Sequence, residues 1–200
     1  MRIEIAVYED FDEVDAIGPF EVLANVKHAH PEVQVELVGA HGPGQVVAGH
    51  GMKLLCDEGM SDRADLIVVP GGGWVRGGGV RQQYEDGTLA ARLRELHDNG
   101  TTMASVCTGG ILLAQAGLLD GRPATTHRAA LDHLAEMGAD VDREARVVDD
   151  GDVITCGGVT SGLDLAFHLV ERYWDAELAG TIATLMEHDR RSARSTGART

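Results

Sequence analysis

Residues 101–114, Thr-Thr-Met-Ala-Ser-Val-Cys-Thr-Gly-Gly-Ile-Leu-Leu-Ala, constrain this chain more than any other stretch. The run opens as a short apolar strand and turns into a helix-period pattern with almost no loop between. Cys107 sits at the junction, with Ser105 two residues before it and Gly109 two after. S-x-C-x-G is the cysteine counterpart of the G-x-S-x-G nucleophile elbow, in which a strained strand-to-helix turn lifts a nucleophile above the sheet edge. Small neighbours are required because the turn brings the strand and helix backbones close together. A helix starting behind the cysteine predicts a thiol that titrates below the free value of about 8.5, because unpaired N–H groups favour the thiolate. A buried cysteine acting as a small hydrophobe is the plainer alternative.

Around this elbow the chain alternates strand and helix. Residues 2–8, 33–38, 65–69 and 101–106 read as strands, and 66–69 is an unbroken apolar run, the mark of a strand buried on both faces of a parallel sheet. Asp10 to Asp15 reads as an acidic loop, and Gly18-Pro19 as the opening of a helix with proline in its first turn. Residues 45–56 read as a hairpin-like excursion around Gly49-His50-Gly51. Helices are predicted at 89–96, behind Cys107, and at 128–137, with a turn at 117–121 leading into Ala124-Thr125-Thr126. A hairpin turns about Asp149-Asp150-Gly151-Asp152. Ser161 and Asp175 are predicted to cap the last two helices. The alternation predicts a three-layer α/β/α sandwich with a mostly parallel sheet, as a single domain over 1–189. Residues 190–200 lack apolar periodicity and read as a disordered tail.

The chain carries 32 acidic and 17 basic residues, a formal net charge of −15, and only Lys27 and Lys53 among the basic ones are lysines. Such a surface argues against nucleic acid or an anionic membrane as partner. Mean hydropathy is close to zero and no apolar run reaches eighteen residues, so a membrane span is not expected. Cys56, Cys107 and Cys156 form no C-x-x-C pair, which fits a reducing compartment and gives neither a disulfide framework nor a zinc site. With a strand rather than a signal peptide at the N-terminus, a cytoplasmic location is expected. The histidines show no ligand spacing, and neither metal nor cofactor is called for.

Ligands of such sheets sit beyond the carboxyl ends of the strands. Asp15, the Pro70–Gly73 loop, Cys107 and the Thr126-His127 segment fall there. The glycines at 71–73 and 77–79 are not a phosphate loop, because no Lys-Ser or Lys-Thr follows, and G-x-G-x-x-G is absent. They instead permit close backbone approach to a substrate, as an oxyanion hole requires.

Val-Val-Pro-Gly-Gly at 68–72, Ala-Ser-Val-Cys-Thr-Gly-Gly at 104–110 and Ala-Thr-Thr-His at 124–127 resemble the ThiJ/PfpI family of the class I glutamine-amidotransferase-like superfamily. Ala-Gly-Leu-Leu-Asp-Gly-Arg at 116–122 and Gly-Gly-Val-Thr-Ser-Gly-Leu-Asp at 157–164 extend the likeness to residues 2–188. The resemblance implies a flavodoxin-like sandwich, a homodimer, and the elbow cysteine as reactive centre. The protease-like branch has histidine directly after the cysteine. Thr108 stands there in this chain, so peptidase chemistry is not expected. Cys-Thr-Gly is similar instead to isonitrile hydratases and to the sensor halves of AraC-type regulators. No helix-turn-helix pattern follows Glu187, which places the chain nearer the hydratases.

The resemblance also implies a carboxyl beside the cysteine. Asp15, in Val-Asp-Ala-Ile-Gly-Pro, matches the hydratase branch, and a carboxyl pressed against a thiolate is expected to stay protonated and serve as general acid. A plain helix-end carboxylate is its alternative role. Backbone N–H groups of Thr108 and Gly72 are the expected anion-binding pair. His127 orients ligand or serves structure, Val159 and Thr160 line the pocket, and Asp164 braces its helix. The expected function is a cysteine-dependent hydration of a small molecule, an isonitrile becoming an N-formamide. A glyoxalase-like enzyme and a non-catalytic small-molecule or oxidation sensor are the alternatives.

Overall fold

The computed structural model describes residues 1–75 and 77–189. In chain order the strands are β1 (Arg2–Val7), β2 (Gln34–Gly39), β3 (Gly44–Val47), β4 (Lys53–Cys56), β5 (Leu66–Val69), β6 (Thr102–Ser105), β7 (Pro123–Ala124), β8 (Asp140–Val141), β9 (Val147–Asp149) and β10 (Val153–Cys156). The helices are α1 (Glu13–Ala24), α2 (Gly79–Asp86), α3 (Thr88–Asp98), α4 (Gly109–Gln115), α5 (Leu131–Glu136), α6 (Ser161–Tyr173) and α7 (Ala176–Leu185). The predicted tail at 190–200 lies outside the described residues.

One six-stranded sheet runs β2-β1-β5-β6-β10-β9, parallel except for the last pair. Every β5 residue is buried, as the unbroken apolar run requires of a strand covered on both faces. α1, α6 and α7 pack together on one side, and α2, α3, α4 and α5 on the other. This is a flavodoxin-like α/β sandwich. The chain goes from β1 outward to β2 and then crosses back to β5 on the other flank of β1. A crevice opens where the strand order reverses, between the carboxyl ends of β1 and β5. The register aligns those ends: Ile5 pairs with Val68, Val69 with Ser105, and Ser105 with Thr155. The three loops that follow β1, β5 and β6 therefore converge on one place.

Several local expectations are corrected. α1 begins at Glu13, capped by Asp12 Oδ1 accepting the Val14 N–H at 3.2 Å, so Asp15 is helical and Pro19 lies inside the helix. Tertiary packing overrides the proline: its ring lies against Gly162 of α6, where a methyl group would stand 3.3 Å from Pro19 Cγ. α2 is short and strongly polar and is not legible in the sequence; only Val80 and Gln83 of its longer side chains are buried. Ser161 does not cap α6. Thr160 holds that place without a side-chain bond, and Ser161 is the first helical residue. Asp175 caps α7 as expected, with its Oδ1 2.7 Å from the Leu178 N–H. The excursion at 45–56 is the antiparallel pair β3–β4, strapped to the loop after β1 by Asp10 N–H to Val47 O at 2.9 Å and Gly49 N–H to Phe11 O at 2.8 Å.

The β9–β10 hairpin is tied to α6 through Asp149, whose Oδ2 is 2.7 Å from His168 Nε2, and whose Oδ1 pairs with Arg172 Nη1 at 2.5 Å. Burial opposes the charge, but these partners outweigh it and hold the carboxyl at about 2. A depressed folded-state value gives stability that is present above the unfolded carboxylate range and is lost as pH falls through about 2. Discounted for partial exposure, Asp149→Asn is expected to lower stability at pH 7 by roughly 1–2 kcal/mol. Urea melts at pH 7 and pH 2 check this: the gap between wild type and variant should shrink at the lower pH, and an undiminished gap would refute the electrostatic account.

Candidate functional site

Cys107 has the left-handed backbone of a nucleophile elbow, with φ at 56° in a non-glycine residue. Its N–H donates to Gly157 O at 3.0 Å beyond β10, and its carbonyl accepts from Thr126 Oγ1 at 2.6 Å. Neighbouring loops thus clamp the strained residue from both sides. The predicted need for a small residue two places on is visible at Gly109. A Cβ there would stand 2.3 Å from Val69 O and 2.8 Å from Pro70 O. α4 can start close behind the sheet only because that atom is missing.

Asp15 reaches the same place from α1 and is fully buried. Its Oδ2 accepts the Gly71 N–H at 3.0 Å, while Oδ1 is buried with no conventional hydrogen-bond partner. Gly71 also leaves no room for a side chain, since its Cβ would lie 2.6 Å from Asp15 Oδ2 and 2.8 Å from Thr108 Oγ1. Burial pushes the Asp15 carboxyl up to about 7; Asp12 adds to the rise, and bonds from Gly71 and the Cys107 side chain moderate it.

Burial likewise pushes the Cys107 thiol up, to about 12, with the Asp15 charge adding to it. Backbone N–H groups of Val159 and Thr108 donate to the sulfur and pull the other way without prevailing. The expected low-pKa thiol is therefore overturned: desolvation and a neighbouring carboxylate outweigh the elbow's N–H groups. At neutral pH the sulfur therefore holds its proton while the carboxyl is poised between its two forms.

Cys107 opens on a cavity of about 300 Å³ lined chiefly by apolar groups, among them Trp74, Val75, Ala129, Ala130 and Val159. Asp12, Gly72, Gly73, Thr108 and His127 complete the wall. His127 serves structure and pocket together: its Nδ1 accepts the Ala129 N–H at 3.2 Å, which puts the proton of the neutral ring on Nε2. The ring also covers Gly158, where a Cβ would fall 2.4 Å from Cδ2. Val159 takes φ of 39°, a strained conformation for a β-branched residue, and faces the sulfur. Asp164 braces α6 by pairing with Arg146 at 2.5 Å.

Two expected site roles are not met. The Gly72 N–H is taken by Thr108 Oγ1 at 3.1 Å, so it does not pair with Thr108 as a second anion donor. Thr160 is exposed and lies outside the Cys107 cavity. Trp74 is 9% exposed and forms a cavity wall. It packs edge-on to Tyr84 at 5.2 Å and against His133 at 4.7 Å. Its place in a glycine-rich loop gives no periodic signal from which this could be read. Cys56 and Cys156 are buried, and burial raises both thiols. Among the described residues no three His, Cys, Asp or Glu side chains gather as a metal-holding group.

The model of the DJ-1/PfpI family matches residues 1–172. The chain belongs to that family. Isonitrile hydratase of Pseudomonas putida is 33% identical over 94% of the chain and 78% of its own length. The transcriptional regulator CdhR of Pseudomonas aeruginosa is 32% identical over 83% of the chain, which spans 48% of that regulator. Among solved DJ-1/PfpI folds, a ThiJ/PfpI family protein from Pseudomonas syringae superposes with a TM-score of 0.84 at 26% identity, covering 98% of this chain and 78% of that one. Drosophila melanogaster DJ-1beta shares the fold at a TM-score of 0.81 and 21% identity, covering 94% and 98%.

Two outcomes are expected from this DJ-1/PfpI site. Gly109→Ala should cost at least ~2 kcal/mol, since backbone rather than a flexible side chain must move; an unchanged thermal melt would count against the close approach. In iodoacetamide labelling followed by mass spectrometry, the rate at Cys107 should keep rising with pH well above the free-cysteine range. Asp15→Asn should move that profile downward, because the neighbouring anion is gone. A profile that stays put would remove Asp15 from the coupling.

Proposed function

We propose that this chain is a cysteine-dependent hydratase that converts an isonitrile to an N-formamide, with Cys107 as nucleophile and Asp15 as proton carrier. The observation that carries the reading is the buried Asp15–Cys107 pair, a protonated thiol beside a carboxyl that can take up or release a proton near neutral pH. The terminal carbon of an isonitrile must accept both a nucleophile and a proton. A thiol and a carboxyl side by side supply both to one atom.

Asp15 takes the thiol proton as the Cys107 sulfur bonds to the terminal carbon, and passes that proton to the same carbon. The product is a thioimidate, R–N=CH–S–Cys107. Water then adds to its carbon, the C–S bond breaks, the nitrogen gains a proton and the thiol is restored. The sum is one isonitrile and one water giving one formamide. The first step builds no oxyanion, so it does not need the donor pair that Gly72 and Thr108 fail to form. The apolar walls suit a neutral, weakly polar substrate. The likeness to an isonitrile hydratase along most of both chains supports the same reading.

A second reading is a non-catalytic binding module, favoured by the thiol being pushed up to about 12 and so held neutral. Turnover decides between them and against glyoxalase chemistry. With an aryl isonitrile, formamide should appear by chromatography for wild type and be abolished in Cys107→Ser. Asp15→Asn should lower kcat by about 10²-fold or more, the usual scale of general acid catalysis. Asp15→Glu should cost less because a carboxyl remains. Full turnover in Asp15→Asn would remove the acid from the mechanism, and a wild type active on glyoxals alone would replace the reaction.

We also propose a homodimer. The described residues leave Leu55 72% and Leu185 64% exposed, apolar surface that an interface would cover. Light scattering at micromolar concentration should give twice the chain mass of 21.2 kDa, and a monomer there would refute it.

A further inference from the structure

Beside the Cys107 cavity lies a second one of about 360 Å³, and His127 and Val159 are walls of both. Its chemistry is opposite. Arg128, Arg143 and Arg146 line it, in a chain of formal net charge −15. Asp132 neutralises Arg143 at 2.6 Å and Asp164 neutralises Arg146 at 2.5 Å. No carboxylate of the described residues lies within ion-pair reach of Arg128, which leaves the cavity a net positive charge.

Two hydroxyl-bearing residues of the cavity wall supply an independent observation. Thr125 is 1% and Ser161 is 3% exposed, and both line this cavity. Neither side-chain oxygen has a hydrogen-bond partner among the described residues, although Thr125 uses its backbone N–H on Thr155 Oγ1 at 2.9 Å. Ser161 Oγ sits 3.1 Å from where a Cβ of Gly157 would stand, and that residue is another wall of the cavity. Hydroxyls that open on a cavity can bond a ligand or water there. Arginine forks beside them match the oxygens of a carboxylate or phosphate, which accept several charge-assisted bonds at once.

We propose that Arg128, Arg143 and Arg146, with the hydroxyls of Thr125 and Ser161, form a subsite for an oxyanion of the small molecule whose reactive carbon meets Cys107. The inference rests on the Cys107 cavity being the reaction site, and it names a substrate class: a small isonitrile carrying a carboxylate or phosphate on a short tail. The two cavities divide the work. The apolar one receives the neutral reacting end, and the arginine-lined one anchors the charged end past the edge of His127.

Titration calorimetry at low ionic strength on the full chain tests the subsite without any turnover, using glutarate in one arm and inorganic phosphate in the other. Wild type is expected to bind at least one of them in the ~1 mM range. The double variant Arg128→Gln/Arg143→Gln should bind ~10-fold or more weakly, a loss of about 1.4 kcal/mol. Tighter binding of glutarate assigns a carboxylate, and tighter binding of phosphate a phosphate ester. Absence of binding at ~20 mM, or binding unchanged in the double variant, would overturn the subsite. Its link to Cys107 is read from alkylation by 4-(iodoacetamido)butanoate against the matching methyl amide. Wild type should favour the acid despite its overall negative charge, and the double variant should reverse the preference. No preference for the acid in wild type would overturn the link. Hydration of an aryl isonitrile without anion binding would sink this proposal alone, and arginine-dependent anion binding without hydration would sink the reaction alone.

Discussion

The left-handed backbone of Cys107 is the constraint on which the site depends. A non-glycine residue in that region costs of order 1–3 kcal/mol, and it persists only where its surroundings leave no alternative. Here β6 ends beside β5 and β10, Gly157 O and Thr126 Oγ1 hold the peptide groups on either side, and Gly109 lets α4 start against the carbonyls of Val69 and Pro70. The turn is therefore fixed by the sheet's own register. That position puts the sulfur at the carboxyl edge, next to the crevice where the strand order reverses.

The same crowding sets the electrostatics. Gly71 has no side chain, so Asp15 can come up beneath the loop after β5 and Thr108 can close over it. A carboxyl and a thiol are thereby driven into a space too dry for two charges, and both rise. The carboxyl keeps, up to about neutral pH, a proton that an isolated aspartate would have given up to water. Chemistry that must add a sulfur and a proton to one carbon is well served by this, whereas chemistry that needs a preformed thiolate and an oxyanion hole is not. The commitment of the Gly72 N–H to Thr108 Oγ1 points the same way.

Two surfaces meet at His127 and Val159. One is apolar and touches the sulfur, the other carries arginines and partnerless hydroxyls. In an acidic molecule, positive charge gathered in a concave place acts at short range and is felt chiefly by what enters it. The site so divided favours a molecule with a neutral reactive end and a charged distal one.

The sequence by itself determined the layer order, the parallel sheet, and the convergence of the Asp15 loop, the Pro70–Gly73 loop and Cys107. Strand runs, the elbow's small residues and the glycines after β5 are local patterns that survive in any packing consistent with them. The start of α1 was misplaced because Pro19 is a strong local signal that contact with Gly162 overrides. α2 and the role of Trp74 left no periodic trace. The thiol's upward shift was likewise hidden, since helix-start N–H groups are legible in a sequence but the depth of burial and the nearness of a carboxylate are not. The commitment of the Gly72 N–H to Thr108 turned on a single hydrogen bond, and the exclusion of Thr160 from the cavity on the turn at Val159. Only the tertiary structure decided these, because desolvation and hydrogen-bond partnership belong to residues far apart in the chain.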